Sequence, residues 1–332
     1  MGKLAFVFPG QGSQSVGMGL DLAGNYPEAQ ALFAKVDAAA ARPGKSLSAL
    51  CFEGPEDELK QTINTQPTIL AASLAAHAAF VAEVKKMNGS APQPDFVAGH
   101  SLGEITALCA AQVLSVEDAV KLVEKRAALM QDCPKGAMAA VLKMPEEALE
   151  KLCLEVQDAL KEEGADKNEA VVLIANYNTK DQLVISGSPT AVGRAAALVK
   201  ERGGKAIPLP VGGAFHSPLM SGAASEFGAV LNAVAFAPAR CEVVQNVDAR
   251  GSKSPEALKA KLAKQMESAV RWTACVEYLI AQDVDTIVEI GPGKVLTGLV
   301  KKIDSSEKVR LFNVFDSESL KLAASSLTVA VS

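Results

Sequence analysis

The sequence predicts an α/β protein into which a smaller β-α-β-β-α-β subdomain is inserted. Three observations support this fold class. Short apolar runs of strand length, beginning at residues 4–8, alternate with longer segments of helical periodicity. A tight, glycine-flanked turn at residues 99–103 joins one such strand to a helix. Between residues 138 and 211, two strands follow each other directly, which breaks the alternation.

Composition limits the classes of function. The 332 residues include 49% hydrophobic and 21% charged residues, as is usual for a globular protein. The net charge of −5 provides no global basic field, so we expect no nucleic-acid partner. The six cysteines are scattered without a C-x-x-C pair, which favours reduced thiols and no metal site.

Targeting signals are not evident. No run approaches the roughly 18 apolar residues that a membrane span requires, so we expect no membrane association. A strand begins at residue 4, so we expect no signal or transit peptide in this sequence. The predicted location is the cytoplasm if the source is bacterial, and a plastid or mitochondrion if a transit peptide has been removed.

The first strand, at residues 4–8, ends in a polar, glycine-rich loop over residues 9–14. Open α/β sheets bind ligands just beyond the carboxyl ends of their strands. A phosphate-binding loop is disfavoured, because no Lys-Ser or Lys-Thr follows at the required spacing. Residues 27–88 are predicted to be mostly helical, with His77 packed on an amphipathic helix over residues 68–87.

The turn Gly99-His100-Ser101-Leu102-Gly103 follows an apolar strand at residues 96–98 and precedes a helix. Small residues two before and two after the serine let strand and helix pass closely, as in a nucleophile elbow. The serine then lies at the apex, beside the N–H groups of the helix N-terminus. The alternative is a structural turn that happens to contain a serine.

A helix beginning at Ser115 places Arg126 on a largely apolar face. The residues three and four positions away are apolar, so no acid within the helix can pair with it. An arginine in that setting is costly unless an anion meets it. On helix geometry alone, an anionic ligand, a distant Asp or Glu, and an exposed guanidinium remain open.

The inserted subdomain is predicted from six consecutive segments, namely a strand at 138–144, a helix at 145–163, strands at 171–175 and 182–186, a helix at 189–202 and a strand at 205–211. This β-α-β-β-α-β order is that of a ferredoxin-like module. Beyond it the sequence predicts helices at 221–234 and 255–265, with strands at 241–245, 286–290 and 309–314. The C-terminal tail carries no clear pattern.

A serine nucleophile needs a base, and the chain has three histidines. His77 is predicted to be packed, and the side chain of His100 should diverge from that of its neighbour Ser101. His216 lies in a glycine-rich loop at the subdomain junction, where a cleft is expected. By elimination, the predicted pair is Ser101 and His216.

These residues fall within motifs that closely resemble the malonyl-CoA:acyl carrier protein transacylases of type II fatty acid synthesis. The resemblance runs from about residue 4 to about residue 315. It is carried, in order, by residues 8–14 (FPGQGSQ), 99–104 (GHSLGE), 123–126 (VEKR), 213–218 (GAFHSP) and 289–296 (EIGPGKVL). The family implies an α/β-hydrolase-like core formed by residues 1–137 and 212–332, with a ferredoxin-like subdomain at 138–211.

The resemblance implies a role for each matching position. Ser101 is the acyl-accepting nucleophile and His216 the base, while the backbone N–H groups of Gln11 and Leu102 form the oxyanion hole. Arg126 binds the malonyl carboxylate, which answers the open question about its partner. Gln265 orients the histidine, and two further positions, Asn176 and Phe215, line the cleft.

The implied activity is ping-pong transfer of malonyl from malonyl-CoA to the phosphopantetheine thiol of acyl carrier protein. No cofactor is implied, and we expect a monomer. Carrier proteins are acidic, so we expect a local basic patch near the cleft drawn from Lys200, Arg202, Lys205, Lys294, Lys301 and Lys302. Two other classes remain: a thioesterase or esterase using the same serine and histidine, and a non-catalytic scaffold.

Overall fold

A computed structural model describes residues 2–328 of the chain. The apolar runs predicted from the sequence form strands, most of them buried on both faces. Within the described residues the strands are β1 (Lys3–Phe8), β2 (Phe96–Gly99), β3 (Ala137–Leu142), β4 (Val172–Thr179), β5 (Gln182–Gly187), β6 (Lys205–Pro208), β7 (Glu242–Gln245), β8 (Arg250–Ser252), β9 (Val284–Ile290) and β10 (Arg310–Val314).

Helices cover the strands, and several begin at a serine whose side chain accepts a backbone N–H of the first turn. Over the same residues the α-helices are α1 (Leu20–Asn25), α2 (Pro27–Ala40), α3 (Leu47–Glu53), α4 (Glu56–Leu59), α5 (Thr62–Asn88), α6 (Gly103–Ala110), α7 (Val116–Gln131), α8 (Glu146–Glu162), α9 (Pro189–Glu201), α10 (Ser221–Asn232), α11 (Pro255–Lys264), α12 (Trp272–Ala281), α13 (Val295–Ile303) and α14 (Ser317–Thr328). Short 3₁₀ turns cover Pro218–Met220 and Gln265–Glu267.

The larger sheet has the strand order β10-β9-β1-β2-β7-β8. Its strands are parallel except for β8, which pairs antiparallel with β7. The carboxyl ends of β1, β2, β7 and β9 therefore meet at one edge. Ligand sites of open α/β sheets lie at that edge.

Successive side chains of a strand point to opposite faces of the sheet, so the core of the larger sheet has two layers. Phe6 and Phe8 of β1 pack with α2, α5 and α7 on one face. Ala5 and Val7 of the same strand pack with α12 and α13 on the other face. His77 of α5 lies edge-on to both Phe6 and Phe8, as the sequence predicted for a packed histidine.

The smaller sheet is antiparallel, with the order β4-β5-β3-β6. One face packs against α8 and α9 around its own apolar cluster, to which β3 contributes Ala139 and Val141. The intervening residues Met138 and Ala140 point to the opposite face, which covers the carboxyl edge of the larger sheet. A cleft forms between the two sheets.

Several predicted boundaries are wrong. The strand predicted at 171–175 extends to Thr179, and its pairing with β5 shifts register on either side of Asn176 and Tyr177. The strand predicted at 205–211 ends at Pro208, because Pro208 and Pro210 have no N–H to donate to a ladder. The tail that showed no pattern forms α14 as far as Thr328, and residues 329–332 lie outside the described part.

The sequence predicted no segment long and apolar enough to span a membrane, and helix α5 differs from that prediction. It is the one helix among the described residues that is long enough and apolar enough to cross a membrane by length and composition alone. Counting uninterrupted apolar residues missed it, because threonine, serine and glutamine interrupt its alanines and leucines. The rest of the protein buries 72% of the most apolar 18-residue stretch of this helix, as expected for a core helix.

Candidate active site

The turn after β2 has the geometry of a nucleophile elbow. A Cβ on Gly99 would lie 1.9 Å from the carbonyl carbon of Gly103, and a Cβ on Gly103 would lie 2.1 Å from the carbonyl oxygen of Phe8. Only glycine permits strand and helix to approach this closely. Between them, Ser101 adopts a positive φ of 51°, which exposes its side chain at the apex.

Ser101 and His216 form a hydrogen-bonded pair. The distance from Ser101 Oγ to His216 Nε2 is 2.8 Å. The other ring nitrogen, Nδ1, lies 3.0 Å from the carbonyl oxygen of Gln265 and 3.1 Å from that of Ser268. Carbonyl oxygens only accept, so Nδ1 carries the proton and Nε2 is free to accept one from the serine.

Burial and, to a smaller extent, the positive charge of Arg126 lower the pKa of His216 to about 3. The two backbone carbonyls on Nδ1 act in the opposite direction. The imidazole is therefore neutral at physiological pH, as a general base requires.

Arg126 of α7 also reaches the serine. One terminal nitrogen lies 3.0 Å from Ser101 Oγ and 3.0 Å from Oε1 of Gln265, and the other lies 2.7 Å from Oε1 of Gln66. A guanidinium can only donate, so it occupies a lone pair of Ser101 Oγ and leaves the hydroxyl proton directed at His216.

The surroundings of Arg126 narrow the alternatives left open by the sequence. The residue is 1% exposed, so the guanidinium does not reach solvent. Across residues 2–328 it forms no direct ion pair, and its side-chain partners are neutral oxygens. Burial lowers its pKa to about 10, with Glu104 opposing the shift, so it stays charged at neutral pH. A buried cation without a paired anion is suited to bind an anionic group.

The predicted oxyanion-hole residues flank the serine. Gln11 follows β1 and Leu102 follows Ser101, and both line the same cavity. Within the described chain, neither backbone N–H donates to a protein acceptor. Free N–H groups beside a nucleophile can stabilise a developing oxyanion.

These groups open into a cavity of about 260 Å³ between the two sheets. The smaller sheet contributes Asn176 and Asn178, and the loop before His216 contributes Phe215. Apolar residues form much of the remaining wall, namely Leu102, Met130, Met138, Ala140, Val184, Leu209, Val211, Val295, Leu296 and Leu299. In residues 2–328, no group of three or more His, Cys, Asp or Glu side chains is arranged to hold a metal ion.

Sequence reasoning missed several neighbours of the site. Gln66 was hidden inside a long helix, and Ser268 acts through its backbone carbonyl, so neither carried a side-chain signal. Asn246, whose side chain contacts the elbow, follows β7 at the same sheet edge as Ser101. Its position after a predicted strand was the available clue. His100 diverges from Ser101 as expected, and its Nε2 lies 2.8 Å from Oδ1 of Asn178.

A serine paired with a neutral histidine, two free N–H groups and a cleft to hold the acyl group can form and resolve an acyl-serine. A family model described as "Acyl transferase domain" matches residues 5–315. The chain therefore belongs to the acyl transferase family. Within that family it belongs with the malonyl CoA-acyl carrier protein transacylases. The Bacillus subtilis protein of that name is 43% identical over 98% of both chains, and the Escherichia coli K12 protein is 42% identical over 91% of this chain and 93% of its own.

Solved structures agree in fold. The malonyl-CoA:acyl carrier protein transacylase of Xanthomonas oryzae pv. oryzae has a TM-score of 0.88 at 39% identity, covering 98% of each chain. A second structure, described as a type II PKS acyl-carrier protein in complex with its malonyl-transacylase, has a TM-score of 0.87 at 38% identity. That match covers 98% of this chain and 99% of the other.

Proposed function

We propose that this protein transfers a malonyl group from malonyl-CoA to the phosphopantetheine thiol of acyl carrier protein, by way of a malonyl ester on Ser101. One observation carries the proposal. Among the described residues, the hydrogen-bond partners of the buried Arg126 guanidinium are all neutral, and one of them is Ser101 Oγ. Malonyl is a short acyl group with a free carboxylate, so its charge can meet this cation while its thioester carbon meets Ser101 Oγ.

In the first half-reaction, Ser101 Oγ attacks the thioester carbon as its proton passes to His216 Nε2. The free N–H groups of Gln11 and Leu102 hold the resulting oxyanion. The carbonyl re-forms, the carbon–sulfur bond breaks, and the CoA sulfur takes the proton from His216.

The second half-reaction reverses these roles. The carrier thiol gives its proton to His216 Nε2 and attacks the ester carbon. The bond to Ser101 Oγ then breaks, and the serine recovers the proton from His216. The carbonyls of Gln265 and Ser268 keep the imidazole in the tautomer that both half-reactions use.

The proposal includes the division of the chain into a catalytic core and an inserted subdomain. Residues 138–211 act as a ferredoxin-like subdomain, supported by their element order, the β4-β5-β3-β6 sheet and a separate apolar cluster. Residues 1–137 and 212–332 make up an α/β-hydrolase-like core, whose residues 1 and 329–332 lie outside the described part. Asn176 and Phe215 line the cleft between them.

Partners and setting follow from the same reaction. Malonyl-CoA and acyl carrier protein are the two substrates, and the chain works as a monomer without a cofactor. The relatives named above are bacterial, which supports a cytoplasmic location.

A product assay tests transfer against hydrolysis. The protein is incubated with malonyl-CoA, with and without holo-acyl carrier protein, and the malonyl carrier and free malonate are quantified. Transfer predicts malonyl carrier as the main product and little malonate in its absence. Free malonate at the same rate with or without carrier would identify a thioesterase. Ser101→Ala should abolish both products, and retained turnover would exclude the serine mechanism.

A further inference from the structure

The nucleophile elbow contains backbone groups that the helix and strand do not satisfy. Ser101 has a positive φ of 51°, a conformation that a non-glycine residue keeps only where its surroundings hold it. The carbonyl of Gly99 and the N–H of Ser101 lie on either side of this bend. Both must find partners within a buried turn.

Asn246 supplies both partners from a neighbouring strand end. Its Oδ1 accepts the N–H of Ser101 at 2.8 Å, and its Nδ2 donates to the carbonyl of Gly99 at 2.7 Å. Because the first partner can only donate and the second can only accept, the amide has one consistent orientation. The side chain is buried, so water cannot replace it.

Asn246 is itself held by groups outside the elbow. Its own N–H donates to Oε2 of Glu104 at 2.8 Å, and Nε2 of Gln245 donates to Oε1 of the same carboxylate at 2.9 Å. Gln245, Asn246 and Glu104 are all 0% exposed. Glu104 lies in the first turn of α6, the helix that follows Ser101. This helix therefore holds Asn246 in place, and Asn246 in turn holds the Ser101 turn.

The backbone of Asn246 also contacts the segment that orients His216. Its carbonyl oxygen accepts the N–H of Arg271 at 3.2 Å. Arg271 lies three residues after Ser268, whose carbonyl contacts His216 Nδ1. One residue therefore contacts the serine turn directly and the histidine-orienting segment through its main chain.

We propose that Asn246 is a positioning residue, which holds the elbow so that Ser101 Oγ stays aligned with His216 Nε2. The assignment rests on the proposed function in so far as Ser101 is the nucleophile. Among the hydrogen bonds of residues 2–328, none joins Asn246 to Arg126, the residue proposed to bind the malonyl carboxylate. Asn246 should therefore affect the rate of acyl transfer and leave the choice of acyl group unchanged.

Two variants of the full chain test this. Asn246→Ala removes both hydrogen bonds, and Asn246→Asp keeps the volume while placing an acceptor against the carbonyl of Gly99. Asn313→Ala is the control, since it removes an asparagine side chain whose amide donates to the Glu289 carboxylate, away from the elbow. The measurements are kcat, KM for malonyl-CoA, the malonyl-to-acetyl preference, and the rate of labelling by phenylmethanesulfonyl fluoride.

Loss of alignment should lower kcat about 10- to 100-fold in both Asn246 variants, with KM and the acyl preference within about threefold of wild type. Sulfonyl fluoride labelling should slow by a similar factor, and the control should retain both rates. Wild-type kcat and labelling in either Asn246 variant would overturn the proposal. So would parallel losses in kcat, KM, preference and melting temperature, which indicate a merely structural role. Labelling needs no malonyl substrate, so its rate tests the alignment of Ser101 and His216 even if the proposed reaction is wrong.

Discussion

Arg126 donates a hydrogen bond to Ser101 Oγ over 3.0 Å, so the cation proposed to bind the acyl carboxylate also touches the nucleophile. The same serine oxygen lies 2.8 Å from His216 Nε2. Because arginine cannot accept, the serine proton must point at the histidine. Recognition of the acyl group and activation of the nucleophile are therefore coupled in one cluster of side chains.

Replacing Arg126 should change the choice of acyl group. In Arg126→Ala the malonyl carboxylate loses its cation, so kcat/KM for malonyl-CoA should fall about 100-fold or more, while acetyl-CoA turnover is retained or improved. Arg126→Lys should not restore the preference fully, since one ammonium cannot reproduce the contacts to Gln66, Gln265 and Ser101. Steady-state kinetics with both thioesters measures the ratio.

Arg42→Ala provides the control for that prediction. Arg42 is also a partly buried arginine and pairs with Glu124 of the same helix α7, at 2.9 Å. Its loss should leave the malonyl-to-acetyl ratio unchanged. An Arg126→Ala enzyme that keeps the wild-type ratio would remove the proposed role of Arg126.

The pH dependence of kcat/KM should change when the positive charge of Arg126, next to His216, is removed. Burial and then Arg126 lower the pKa of His216 to about 3, and its neutral form is the base, so kcat/KM should not decline through His216 between pH 7 and pH 5. Removing the positive charge stabilises the imidazolium. Arg126→Ala should therefore move the acid limb for acetyl-CoA to higher pH, while burial keeps the pKa below its usual value. An acid limb that stays in place or moves to lower pH would contradict this electrostatic link.

The elbow glycines should be intolerant of a methyl group. Gly103→Ala would place Cβ 2.1 Å from the carbonyl oxygen of Phe8, and the resulting overpacking should cost about 3 kcal/mol or more of unfolding free energy. Gly228→Ala is the control, because it lies inside α10, where a Cβ would meet no other atom within 4 Å. It should gain about 0.5–1 kcal/mol from helix propensity. Urea unfolding distinguishes them, and equal stabilities would refute the close approach.

Charge reversal at the N-terminus of α13 and within it should weaken productive encounter with the acidic carrier protein. Lys294 and Lys301 are exposed on the segment that carries Val295 and Leu299 into the cleft wall. Arg202, by contrast, is already paired with Glu155 at 2.7 Å. Lys294→Glu with Lys301→Glu should raise the carrier KM about three- to tenfold at low salt, and less at high salt. Lys86→Glu, at the end of α5, should have no effect. An unchanged carrier KM in the double variant would exclude this surface.

Much of the fold was predictable because the signals were local. The strand–turn–helix around Ser101 depends on glycines within a few residues, and the β-α-β-β-α-β order of residues 138–211 appears directly in hydrophobic periodicity. The end of β4 was missed because residues 176–179 include Asn176, Asn178 and Thr179, which resemble a polar turn. Pairing with β5 nevertheless continues through them, as far as Thr179 opposite Gln182.

The site was predictable only where residue chemistry restricted the choice. Three histidines made elimination possible. The arginine on an apolar helix face left an anionic ligand, a distant acid and an exposed guanidinium open, and only the family resemblance assigned it the malonyl carboxylate. Glutamine and asparagine are common and neutral, so Gln66 and Asn246 could not be distinguished from ordinary core polar residues. Their importance comes from tertiary placement beside Arg126 and Ser101.

Intact-mass spectrometry after brief incubation with malonyl-CoA tests the malonyl-serine intermediate most directly. The protein should gain the mass of one malonyl group, Ser101→Ala should gain none, and added holo-acyl carrier protein should remove the adduct and appear malonylated. An adduct that persists on Ser101→Ala, or one that carrier protein does not discharge, would contradict transfer through Ser101.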